Sequence, residues 1–151
     1  MKDSRTRICR FTLVVLVTFT SFLSTASEPY ALKVLPAEHK IVTDPESGAE
    51  LTYLTTHEAP DYNLYFHDQS WLSDESMILF TSSREGGGLM GYITATGELL
   101  HITSASGDAV NGATAAMHFP GVYAKQGNRV LLIRMKVELS SDPATTRSRV
   151  T

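Results

Sequence analysis

Apolar and polar residues alternate along this chain in short runs that turn residues repeatedly break. Met77–Ser83, MILFTSS, is a nearly continuous apolar run, the pattern of a short strand buried on both faces. Ser73–Ser76, SDES, precedes it with turn chemistry, and Arg84–Gly88, REGGG, ends it. Leu89–Thr94 reads as the next strand, Ala95–Gly97 as a turn and Glu98–Thr103 as an outer strand. The aromatic-rich Asn63–Leu72 suits an inner strand or the approach to one. Pro120–Lys125, a turn at Gln126–Asn128 and Arg129–Leu139 repeat the scheme more faintly. No segment after residue 26 has helical periodicity, so the pattern predicts an all-β protein.

The runs also repeat at longer range. Asp44–Thr55 (DPESGAELTYLT) and Ile93–Thr103 (ITATGELLHIT) share a small residue, Gly, Glu and alternating apolar positions that close in apolar-Thr. Ser141–Thr151 is a weaker echo, and the closing threonines stand at 55, 103 and 151, 48 residues apart each time. A repeat of that length, each copy a four-stranded meander, is the signature of a β-propeller blade. The expected organisation is an extension over 27–43, an outer strand over 44–55, and blades over 56–103 and 104–151. That amounts to about two four-stranded blades of a seven-bladed ring, a partial propeller. Blades bury their faces only against neighbours and two cannot close a ring, so the chain reads as the N-terminal portion of a longer propeller. On that reading it would be poorly stable alone.

Gly86–Gly88 could instead cradle phosphate, but such a loop needs a helix after it. Here a strand-like segment follows and no Lys-Ser/Thr is present, so the glycines read as a turn between antiparallel strands. No Gly-x-Ser-x-Gly occurs to support a serine hydrolase.

The first residues belong to a different plan. Lys2, Arg5, Arg7 and Arg10 precede the uncharged Phe11–Leu23, and Ser24 and Ala26 fit a signal-peptidase site, which places cleavage after Ala26. The apolar run falls short of the roughly 18 residues of a spanning helix, although a signal anchor is the alternative. The expectation is an exported protein, periplasmic or secreted, with no membrane attachment after cleavage. The one cysteine, Cys9, lies before that site, so the remainder has neither disulfides nor a thiolate. Cleavage would leave nine basic and fifteen acidic residues, a net charge of −6. With no basic run, nucleic acid is not an expected partner.

Trp71–Gly88 followed by Gly91–Thr103 resembles the repeat of WD40-like propellers of the TolB type, in which an apolar residue precedes Ser-Pro-Asp-Gly. Asp74 fits that turn, whereas Glu75 and Ser76 depart from it. A narrower resemblance is to oligogalacturonate lyases, through the order Thr43–Phe66, Met77–Gly86 and Gly97–Thr103. Where those enzymes carry His or Arg before a Tyr-Phe pair, this chain has Tyr62 and Asn63. The resemblance implies β-elimination on pectin-derived oligogalacturonides. A base takes the proton α to the uronate carboxylate, and a cation holds the carboxylate and stabilises enolate-like charge. It also implies a divalent metal, manganese, held mainly by histidines of later blades that this chain does not include. A non-catalytic TolB-like binding or scaffold module is the alternative, and a propeller that gates a peptidase is a third.

The catalytic residues are not identifiable from the sequence. His39, His57, His67, His101 and His118 form no local metal motif. His101 lies on an outer strand and is expected at the surface. His57, Asn63 and Tyr65 flank the inner-strand candidate, and His118 holds a similar place in the second interval, so these four are candidate sugar contacts. Arg84 is a candidate carboxylate clamp or, more simply, a salt-bridged turn residue. Trp71 and Phe80 read as core.

Overall fold

The structure, a computed structural model, describes residues 30–140 and 147–151. The signal-peptide expectation lies outside the described residues, as do residues 141–146 of the 141–151 echo. Among the described residues the regular structure is twelve strands, β1 (Tyr30–Leu35), β2 (Lys40–Thr43), β3 (Glu50–Tyr53), β4 (Asp61–Asn63), β5 (Met77–Ser82), β6 (Gly88–Ile93), β7 (Leu99–Ser104), β8 (Asn111–Ala115), β9 (Gly121–Gln126), β10 (Arg129–Arg134), β11 (Val137–Leu139) and β12 (Ser148–Val150), with one 3₁₀ turn at Arg84–Gly86. Among the same residues no helix is long and apolar enough to cross a membrane.

Strands β4 to β7 form an antiparallel meander, and β1 adds to its outer edge, giving the order β1-β7-β6-β5-β4. Strands β8 to β10 form a second, three-stranded meander, while β2–β3 and β11–β12 are separate two-stranded antiparallel sheets. This is a partial propeller: two sheets with their faces together and no closed barrel. Period-two alternation explains the stacking. Met77, Leu79, Leu89, Ile93, Leu100 and Ile102 point from the first sheet into a core completed by Val110, Ala113, Val122, Ala124, Leu131 and Ile133 of the second. Phe80, Met90, Tyr92 and Leu99 fill the opposite face, with Leu35 and Leu54 packed against them. The first sheet is therefore buried on both faces, as the MILFTSS run predicts.

The second sheet is not. Its inward residues Leu131 and Ile133 are buried, but Tyr123, Val130 and Leu132 remain 41%, 76% and 44% exposed on its outer face. Gly86, Gly87 and Gly88 join β5 to β6 with φ of 89°, 83° and 116°, the left-handed turn geometry expected of them.

Several segments differ from the sequence reading. Residues 27–43, read as an extension, supply β1 and β2. Within 44–55 only Glu50–Tyr53 is extended, and it pairs with β2; Asp44–Ser47 is a turn in which the Ser47 hydroxyl donates to Asp44 (2.6 Å). The closing threonines do not share one place. Thr103 lies within β7, whereas Thr55 and Thr151 lie outside the strands, just beyond β3 and β12 of two other sheets. Phe80 is in the core, but Trp71 is 45% exposed in the connection before β5, where it forms an isolated bridge with Ile78. His101 is buried rather than surface-facing, because β1 covers the edge of β7 and Lys33 pairs with it.

Candidate functional site

Strand β8 runs alongside the first sheet in a fixed sense. Its end is tied to the β4–β5 connection, where the Ala115 amide donates to the Gln69 carbonyl (2.7 Å). Its start lies against the beginning of β6, since a Cβ on Gly88 would stand 3.2 Å from Ala109 Cα. The connection into β4 and the β5–β6 turn therefore share one end of the sheets. The β4–β5 and β8–β9 connections share the other. The candidates divide accordingly, with His57 and Arg84 at the first end and Tyr65 and His118 at the second. Asn63 closes β4, where its Nδ2 donates to the Leu64 carbonyl (3.0 Å).

Arg84 is the centre of the first end. Register pairs Asp61 with Ser82, so the residue two beyond Ser82 can reach back across the strand pair. Its guanidinium, 4% exposed, donates through Nη1 to Glu38 (2.7 Å), through Nη2 to Asp61 (2.7 Å) and through Nε to the Ser82 hydroxyl (3.0 Å). Two carboxylates meet its charge, so it ties the N-terminal segment to β4 and β5 and is not available as a carboxylate clamp. The other Asp61 oxygen, Oδ1, is buried without a protein partner. His57 is exposed at this end, and its Nδ1 accepts the Ala59 amide (3.0 Å). Beside the free edge of β4 lies a cavity of about 220 Å³, with Thr55, Asp61 and Asn63 at its polar wall and Leu54, Leu79 and Phe80 at its apolar wall.

Glu85, with φ of 49°, forms a second charged cluster. Its carboxylate accepts the Lys33 ammonium (2.8 Å) and faces His101 Nδ1 at 3.5 Å. The Lys33 hydrogen bond comes first and the Lys33 and His101 charges after it; together they outweigh desolvation and hold the Glu85 carboxyl below its ordinary range.

The second end is aromatic. The Tyr65, Phe66 and His67 rings stack on one another, with centroids 4.5 Å apart for Tyr65–Phe66 and 3.9 Å for Phe66–His67. Tyr65 and Phe66 are 63% and 73% exposed. His118 is exposed next to Met117 in the β8–β9 connection. Sequence reasoning singled out Tyr65 but not its two neighbours; the run Tyr-Phe-His was the available signal. An exposed ring stack of this kind suits sugar or partner contact.

Manganese does not fit the residues at hand. Among the described residues no three His, Cys, Asp or Glu side chains converge. The nearest His–carboxylate pair, His101–Glu85, already has the Lys33 ammonium on the same oxygen, and that charge repels a cation.

No protein-family model matches the chain, and no curated protein matches it. Solved structures do. One is an oligogalacturonate lyase in complex with manganese, 20% identical, with a TM-score of 0.55 over 68% of this chain and 28% of that one. Another is an oligogalacturonate lyase from Vibrio parahaemolyticus, 14% identical, with a TM-score of 0.52 over 77% of this chain and 30% of that one. What is shared is the fold. The chain spans less than a third of the length of either enzyme. The partial-propeller architecture expected from the 48-residue spacing and the structural likeness thus agree.

Proposed function

We propose that this chain supplies the first blades of an exported, lyase-type propeller that degrades oligogalacturonides by β-elimination. The observation that carries the reading is the likeness of its fold to two oligogalacturonate lyases. In this reading the proton-abstracting base and the metal-binding histidines come from blades beyond this chain. Its own part is to complete the ring and offer the free edge of β4, with Asn63 and Tyr65, to the sugar chain. A divalent metal bound in those later blades would neutralise the uronate carboxylate and the charge that develops next to it.

A specific observation favours a second reading, a non-catalytic binding or scaffold module. Arg84, the candidate clamp, is spent on Glu38 and Asp61. The experiment is to mix digalacturonate with a polypeptide containing this chain and follow ultraviolet absorbance of the unsaturated product, with manganese and with chelator. Turnover that the chelator abolishes supports the lyase. Binding without turnover selects the module, and neither binding nor turnover defeats both.

A further inference from the structure

A second cavity, apart from the one beside β4, lies at the aromatic end of the sheets. It is open, holds about 550 Å³, and is lined by Gln69, Trp71, Leu72, Ser73, Glu75 and Met117. We infer that it is a subsite for an uncharged pyranose ring.

Three observations converge on that ligand. The first is the wall chemistry. Trp71 is 45% exposed and Met117 76%, giving a ring face and a soft apolar edge for the C–H face of a sugar. Gln69, Ser73 and Glu75 supply the amide, hydroxyl and carboxylate that hydrogen-bond ring hydroxyls.

The second is rigidity. The Gln69 main chain is pinned to β8, its amide donating to Thr114 Oγ1 (3.1 Å) and its carbonyl accepting the Ala115 amide (2.7 Å). The turn that follows is closed by Leu72 and Met77 (3.0 Å) and by Glu75 and Leu72 (2.9 Å). A frame held this way loses little freedom on binding.

The third is backbone strain. Glu75 has φ of 59°, a left-handed conformation that a side-chain-bearing residue adopts at a cost. A carboxylate kept at a position that favours glycine, on the wall of a cavity, points to a role for the carboxylate.

Charge then selects the ligand. The lining carries one carboxylate and no cation, so a uronate would meet like charge. At about 4 Å in water that repulsion weakens binding about fivefold. The preferred occupant is therefore neutral, such as a galactose unit, and this preference does not depend on lyase chemistry.

Trp71 is the only tryptophan, so its emission reports on this cavity alone. The test titrates the chain with galactobiose and, separately, with digalacturonate, two disaccharides that differ in charge. A saturable emission change with galactobiose, and about fivefold weaker binding of digalacturonate, is the expected result. Glu75→Gln, checked for an unchanged circular-dichroism spectrum, should bring the two affinities together. No saturable change with galactobiose, or digalacturonate binding as tightly as galactobiose to the unaltered chain, would overturn the assignment. Lyase turnover is read on product absorbance, so failure of that reading leaves this result unaffected.

Discussion

Replacing Arg84 by methionine is the sharpest test of the packing between the N-terminal segment and the first sheet. The side chain is 4% exposed and its two ion pairs are each 2.7 Å long, so the substituted thioether would fill much of the volume but leave Glu38 and Asp61 without their cation. Removing one partner of a buried ion pair costs about 3–5 kcal/mol. Glu38 and Asp61 keep 25% and 16% of their side-chain surface, so water can reach both, and the lower end, about 3 kcal/mol, is the expected loss. Urea unfolding followed by circular dichroism measures it. The second arm is Asp61→Asn, alone and combined with Arg84→Met. Once the arginine is gone, removing the Asp61 charge should relieve part of the damage, so the double variant should be more stable than the sum of the singles by about 1 kcal/mol or more. A loss below about 1 kcal/mol for Arg84→Met, or strict additivity in the cycle, would refute the claim that this cluster holds the segment in place.

Three further outcomes can be checked with the same material. Glu75→Gly should relieve left-handed strain and raise stability by about 1 kcal/mol in urea unfolding, while removing the discrimination against digalacturonate. Lys33→Met acts through Glu85, whose carboxyl is held below its ordinary value of 4.5. The folded state therefore binds that proton less readily than the unfolded chain, so the contribution is whole above about pH 4.5 and is lost as pH falls through the lowered folded value. The variant should flatten that part of the acid-unfolding curve, and an unchanged curve would remove the ion pair from the account. Leu79→Ala, in the core between the sheets and 1% exposed, should cost about 3 kcal/mol by urea unfolding. A loss under about 1 kcal/mol would mean that the two sheets do not pack there as described.

The strands that bury both faces were legible because nothing in them compromises. Met77–Ser82 and Leu89–Ile93 are apolar at nearly every position, and the glycines between them have no helix to serve. Strand β1 was not legible. Tyr30, Leu32 and Val34 alternate, but the strand has only one neighbour, and its register partner β7 lies far along the sequence. The same distance hid the site chemistry. Arg84 could be seen as a turn residue, but not its pairing with Glu38, 46 residues earlier. His101 looked like an outer-strand histidine because the cover supplied by β1 is a tertiary fact. Trp71 looked like core because tryptophan usually is, and only the turn geometry brings it to a cavity wall. The equal spacing of Thr55, Thr103 and Thr151 led to the right architecture although only Thr103 lies within a strand.

The place of β1 has a consequence for the order in which the molecule takes shape. Tyr30 meets Ser104 and Leu35 meets Leu99, so β1, the first strand among the described residues, must wait on the ribosome through more than sixty residues for its mate. Until then its apolar positions and its ladder of amides stay uncommitted, and a chain emerging end-first has every opportunity to pair them wrongly. Completion of β7 is thus the moment at which the first sheet locks, and a pause in synthesis before that point would leave β1 exposed to capture by chaperones or by other copies.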